Sequence, residues 1–214
     1  MRYSQSQLAI ASRLSPRKKP TQSRSAKTVE TILEGAARIL EEHGFEGYTT
    51  NKIAARAGVS IGSLYQYFRT RDAVTIALIE RESVARAADV KAALLAPDWH
   101  HALLGMIEAA VRHQLQRPQL ARLLDFEEGR LSHVLPSSSS ASSVHRAIVD
   151  FLKRKIDPPV KNPNLRASDL MLITRALTDA AGCRKNANPL QVRRGIERAV
   201  LGYLGIRMRV AEGQ

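Results

Sequence analysis

Residues 58–62 read Gly58-Val59-Ser60-Ile61-Gly62, a G-x-S-x-G pattern. In an α/β-hydrolase that pattern lifts a nucleophilic serine onto a sharp turn between a strand and a helix, so the chemistry on offer is acyl transfer. It needs a strand before it and a sheet around it. The run before it here, NKIAARA (51–57), has helical spacing. Ser60 therefore reads as a helix N-cap, its hydroxyl accepting from backbone N–H groups left free in a first turn. No other catalytic constellation is spelled out: G-x-x-x-x-G-K-[ST], G-x-G-x-x-G and H-E-x-x-H are all absent. None of the six histidines (His43, His100, His101, His113, His133 and His145) has an Asp, Glu, His or Cys four residues on. Asp98 and His101, three apart, are too little for a metal site. We expect no enzyme, no metal and no cofactor.

The stretch around Ser60 supports a different chemistry. Residues 49–71 read TTNKIAARAGVSIGSLYQYFRTR. Thr49 can cap one short helix, Gly58 stops it, and Ser60 caps the next, which runs to about Phe68. Ile53, Ala54 and Ala57 give the first an apolar face, and Val59 and Leu64 supply contacts beneath the turn. Small residues let the two helices approach, and a glycine makes the tight turn. The pattern is that of a helix-turn-helix. The chain's charge agrees: 33 Lys and Arg against 20 Asp and Glu give +13, which favours a polyanionic partner, nucleic acid before an anionic membrane surface.

The elements that must position this motif follow from periodicity. Val29, Ile32, Leu33, Ala36, Ala37 and Leu40 form one helical stripe from Ala26, ended by Gly44. Arg71 or Asp72 opens a longer helix toward Leu95, with Pro97 at its end. Trp99 to Leu115, Pro118 to Leu131 and Val144 to Ile156 are helical in pattern. PSSSSASS (136–143) reads as a mobile loop, and DPPVKNPN (157–164) cannot be regular helix. Two apolar helices close the chain, from about Ala167 to Cys183, with Leu170, Ile173, Leu177 and Ala180 on one face, and from about Pro189 to Met208. No sustained alternation marks a strand, so the fold class is all-α. A chain of 214 residues has length enough for a real core. One thiol, Cys183, excludes a disulfide-stapled secreted module. No apolar run is long enough to span a membrane and no targeting segment is visible, which reads as a cytoplasmic protein without a membrane partner.

From Gly44 to Val74 the sequence resembles the DNA-binding domain of the TetR family of bacterial transcriptional regulators. The resemblance rests on Gly44-Phe45, Thr49, Ile53-Ala54, Ala57-Gly58-Val59-Ser60, Gly62, Leu64-Tyr65, Tyr67-Phe68 and Arg71. It implies a helix-turn-helix DNA-binding domain over residues 26–71 and a helical effector-binding and dimerisation domain over 72–214; ahead of both, composition marks a basic disordered arm over 1–25. The first 28 residues hold seven basic residues and no acid. Such a segment is a solvated, disordered tail or an arm that follows DNA.

The resemblance also implies roles. The second helix of the motif would lie in the major groove. Gly62 would let its backbone approach closely, and Ser63 and Gln66 would exchange hydrogen bonds with bases or phosphates, Gln66 with adenine above all. Ile61 would touch a thymine methyl, although 61, 64 and 68 share a stripe and spacing alone leaves core packing equally open. Tyr65 and Tyr67 would place hydroxyls on phosphates, with packing beside Leu64 the alternative for Tyr65. Thr50 and Asn51 would meet the DNA backbone or an outer base, and Arg71 would contact phosphate, standing where the family more often has Lys. Lys52, Arg56 and Arg69 add general attraction or are simply solvated.

For the C-terminal half, the two closing helices are expected to form a homodimer through a four-helix bundle, with Ala176, Ala180, Ala181 and Gly202 permitting close approach. The alternative is that these faces bury within one subunit. Residues that could line a pocket for an unidentified small-molecule effector are Met106, His113, Phe126, Glu127, His133, Arg175 and Asp179, each of which also reads as a core or surface residue. The expected function is a sequence-specific repressor of a palindromic double-stranded operator, released by that effector. Its rivals are the same fold without an effector, an activator, and a nonspecific basic binder.

Overall fold

In a computed structural model, residues 23–131, 139–154, 156, 160–184 and 186–206 are described. They form nine helices and, among the described residues, no strand, in keeping with an all-α fold: α1 (Ser23–Gly47), α2 (Thr50–Arg56), α3 (Ile61–Tyr67), α4 (Arg71–Ala93), α5 (Trp99–Gln116), α6 (Pro118–Leu131), α7 (Ser139–Arg154), α8 (Pro163–Gly182) and α9 (Pro189–Leu204). The expected N-terminal arm lies outside the described residues as far as residue 22, and Ser23–Ser25 already belong to α1. His133 also lies outside them.

Two compact units result. The first comprises the described residues of Met1–Ser83 and Gln119–Ser138; the second, those of Val84–Pro118 and Ser139–Gln214. The cut falls inside α4, and α6 joins the first unit, whereas a division at residue 72 assigns both helices to the second.

The first unit is built on the α1 stripe. Ile32, Leu33, Ala36, Ala37 and Leu40 are buried with Ile53, Leu64, Phe68, Leu78, Leu120 and Leu124 in one cluster. Each large side chain buried there contributes about 1.5–3 kcal/mol. Gly44 breaks α1 with φ 59°, the left-handed conformation that favours glycine. Gly35 makes the crossing of α1 and α2 possible: a Cβ there would sit 3.0 Å from the Ala57 Cβ and 3.1 Å from the Ala57 backbone nitrogen. Two buried hydroxyls meet where α4 leaves the motif, Thr75 Oγ1 donating to Tyr48 Oη (3.3 Å). Burial raises the Tyr48 pKa to about 12, against a smaller opposing effect of the Thr75 bond.

In the second unit α8 packs on α5, α7 and α9, and α9 packs on α5. Leu103, Ile107, Leu152, Leu170, Ile196 and Val200 form the centre of its core. Three expectations need correction here. The serine-rich segment is not loop throughout, because α7 begins at Ser139. Serine costs only a few tenths of a kcal/mol in a helix and suits a first turn, so the amphipathic run from Val144 propagates back into it. Likewise α8 begins at Pro163, inside the segment read as non-helical; proline at the first position surrenders only an N–H that has no helical partner anyway. Finally, the buried stripe of α8 is Ala167, Leu170, Thr174, Thr178 and Ala181, while Leu177 and Ala180 are exposed. Two threonines were invisible to an apolar count; Thr178 fits the interior by donating back to the Thr174 (3.0 Å) and Arg175 (2.9 Å) carbonyls.

Candidate nucleic-acid interface

The motif is assembled by its caps. Thr49 Oγ1 accepts from Lys52 N at 3.3 Å and Ser60 Oγ from Ser63 N at 3.0 Å, one cap for each short helix. Between them Gly58 turns the chain at φ 65°, and Val59 N donates back to the Ala54 carbonyl at 3.0 Å. Ser60 is thus a cap, and its hydroxyl is also engaged with that of Ser63 (2.8 Å). Beneath the turn Leu64 and Phe68 are fully buried. That anchors α3 on one side and leaves Ile61, Gly62, Tyr65 and Gln66 exposed.

Ile61 is 38% exposed, so the stripe it shares with Leu64 and Phe68 does not draw it into the core. Gly62 and Gln66 are exposed, and Ser63 is half-buried. A Cβ on Gly62 would meet nothing nearer than Ser60 Oγ at 3.8 Å, so the fold itself does not require glycine there. Tyr65 is exposed and its hydroxyl is hydrogen-bonded to Thr50 Oγ1 at 3.2 Å, which ties the start of α2 to α3. Tyr67 is half-buried against the core. Asn51, Lys52, Arg69 and Arg71 are exposed, and Thr50 is half-buried. The nine expected DNA-facing residues therefore lie on α2, α3 and the first residue of α4; Asn51, Ile61, Gly62, Tyr65, Gln66 and Arg71 are exposed, while Thr50, Ser63 and Tyr67 are half-buried.

Arg56, read from sequence as general attraction or a solvated charge, has an ionic partner within the motif. Its guanidinium donates to Glu42 at 2.5 Å, joining α2 to α1. A second ionic tie was missed by the sequence reading. Arg130 on α6 donates to Asp72 at 2.7 Å and to both oxygens of the buried Glu127 at 2.9 and 2.5 Å. These bonds, the one to Glu127 foremost, push the guanidinium pKa further up. The spacing of Glu127 and Arg130 on one helix was legible; the pairing with Asp72, 58 positions away, carries no local signal.

The described residues proposed to line an effector pocket divide between the two units. Phe126 is 64% exposed and stacks at 5.6 Å on Phe45, and Glu127 is taken by Arg130, both within the first unit. In the second unit Met106 is core, and His113 Nε2 bonds Asp89 at 2.8 Å. Arg175 and Asp179 pair at 3.6 Å on the outer side of α8. No group of three or more His, Cys, Asp or Glu that could hold a metal occurs among the described residues. No helix among them is long and apolar enough to cross a membrane.

Comparison with known proteins agrees with this geometry. Residues 32–78 match the family described as bacterial regulatory proteins, tetR family. The HTH-type transcriptional repressor AcnR of Corynebacterium glutamicum is 40% identical over 72 residues, 34% of this chain and 35% of that protein. The tetracycline repressor protein class A of Escherichia coli is 31% identical over 129 residues, 56% of this chain and 59% of that protein. The chain thus aligns with about a third of the length of the first of these relatives and somewhat over half of the second. The fatty acid degradation regulator FadR of Bacillus halodurans has the same fold, with a TM-score of 0.71 at 16% identity, covering 88% of this chain and 100% of that structure. The motif of α2 and α3 lies inside the matched segment, so residues 32–78 are similar to the DNA-binding segment of the tetR family of bacterial regulatory proteins, and the fold around it is that of the regulator from Bacillus halodurans.

Proposed function

We propose that the chain is a homodimeric repressor that reads a palindromic DNA operator with α3 and is released from it by a small-molecule effector. The observation that carries the DNA-reading part is Gly62: an exposed glycine on α3 whose missing side chain answers to nothing in the protein, flanked by exposed Ile61 and Gln66. A close-approaching partner is what such a position accommodates, and the side chains around it suit the edges of adenine and thymine. Repression is supported by relatives named as repressors, AcnR and the tetracycline repressor protein.

Dimerisation is supported by α8. On the face opposite its buried stripe it exposes Leu165 and Leu172, 58% and 64%, with Ala176 and Ala180 beside them, and α9 adds Leu190 at 58%. Ala181 does not belong to that face, being 1% exposed and part of the protomer's interior. An apolar helix face with small residues is the kind two copies cover for each other. The effector is supported by relatives named for tetracycline and for A-factor.

Selection of bound duplexes from a random pool by the full chain tests this reading. Two inverted half-sites about one helical turn apart are expected. Recovery of unrelated sequences would contradict an operator-reading dimer. Compounds are then screened for loss of binding to the selected duplex.

A further inference from the structure

Asp72 is a carboxylate set beside the arginine assigned to DNA phosphate, and left to itself it would work against that contact. Two guanidiniums address the same oxygen, Asp72 Oδ1: Arg71 from 3.8 Å through Nε and Arg130 from 2.7 Å through an NH2 group. Arg130 reaches the other oxygen as well, at 3.4 Å. The outcome of that competition is fixed from behind, because two bonds to the buried Glu127 hold the Arg130 fork in place before Asp72 is met. Asp72 cannot simply be dispensed with, since an acid in the first turn of α4 complements the helix dipole.

We propose that Arg130 is a positioning residue of the DNA-binding surface, which takes the Asp72 carboxylate and so leaves the Arg71 guanidinium free for a phosphate. The proposal rests on the DNA-reading function above. Without Arg130, Asp72 captures Arg71 and also presents an uncompensated negative charge next to the DNA backbone. Both effects remove one cationic contact and leave the bases read by α3 untouched. The effect is electrostatic, so it appears in the salt dependence of binding: each phosphate neutralised contributes about 0.9 to the slope of log K against log salt.

The test uses fluorescence anisotropy of the tightest duplex the wild-type chain selects from a random pool, titrated at a series of NaCl concentrations. E127Q/R130Q, the same variant with D72N added, and R71A are compared with wild type, and the unfolding temperature of each is measured alongside. Neutralising Glu127 together with Arg130 avoids leaving a lone buried carboxylate. E127Q/R130Q and R71A are each expected to bind about tenfold more weakly, as for loss of one charge-assisted contact, with slopes shallower by about 0.9. Adding D72N to E127Q/R130Q returns affinity and slope to those of wild type. A loss that leaves the slope unchanged and that D72N does not rescue would mean that Arg130 only braces the fold, overturning the proposal, as would unaltered binding by E127Q/R130Q. A wild-type chain that selects no duplex would overturn the DNA-reading function and this proposal with it.

Discussion

At the scale of single residues, the clearest distinction is between side chains the fold needs and positions it leaves open. Gly62 is open. Replacing it with leucine puts bulk where only Ser60 Oγ stands nearby and a good helix former where glycine was. Gly62→Leu is therefore expected to keep or raise the unfolding temperature and to lose binding to the selected duplex by at least tenfold, read by calorimetry and anisotropy. Tyr48 is the opposite case, a hydroxyl the fold needs. Its pKa is raised from about 10 to about 12, so the unfolded chain loses this proton first as pH rises. The stability contributed by keeping Tyr48 neutral is fully present below pH 10 and declines from there toward pH 12, by roughly 3 kcal/mol in all for two units. Tyr48→Phe should flatten that decline relative to wild type in alkaline melts. An equal decline in both proteins would show that other groups govern it.

At the scale of elements, the helices of the motif were legible because three local signals coincide at Thr49, Gly58 and Ser60: cap, turn and cap. Each is a matter of a few neighbouring backbone groups, which sequence specifies directly. What stayed hidden depends on other helices. Nothing in the local sequence marks Gly35 as the place where α1 admits Ala57 of α2. Gly35→Leu should cost about 1–3 kcal/mol by overpacking and weaken DNA binding by tilting α2, measured by denaturant unfolding and anisotropy. A variant as stable as wild type would show that the crossing is not tight. The same limit explains α8. Its apolar residues are countable, but the buried face also runs through Thr174 and Thr178, which an apolar count omits: Thr178 Oγ1 donates back to the helix, and Thr174 Oγ1 is buried without a hydrogen-bond partner among the described residues. The partners of the proposed effector residues carry no local signal either: Phe45 meets Phe126 and Arg130 holds Glu127, contacts that periodicity does not specify.

At the scale of the whole molecule, the account requires two copies, because one short recognition helix spans only a few base pairs. The exposed leucines of α8 make this testable. Leu172→Glu places a charge on the face opposite the buried stripe, where Leu172 is 64% exposed, so the protomer itself has no packing to lose. The variant should sediment as a monomer with an unchanged unfolding profile at low concentration, and wild type as a dimer; two monomers would contradict the proposed interface. The +13 net charge pulls the other way, since a basic chain binds any duplex at low salt. The decisive measurement is therefore anisotropy of the selected duplex against a shuffled duplex of the same composition at physiological salt. The account predicts a preference on the order of a thousandfold that survives added salt. Equal affinities that collapse together as salt rises would contradict it, and would assign the binding to net charge rather than to α3.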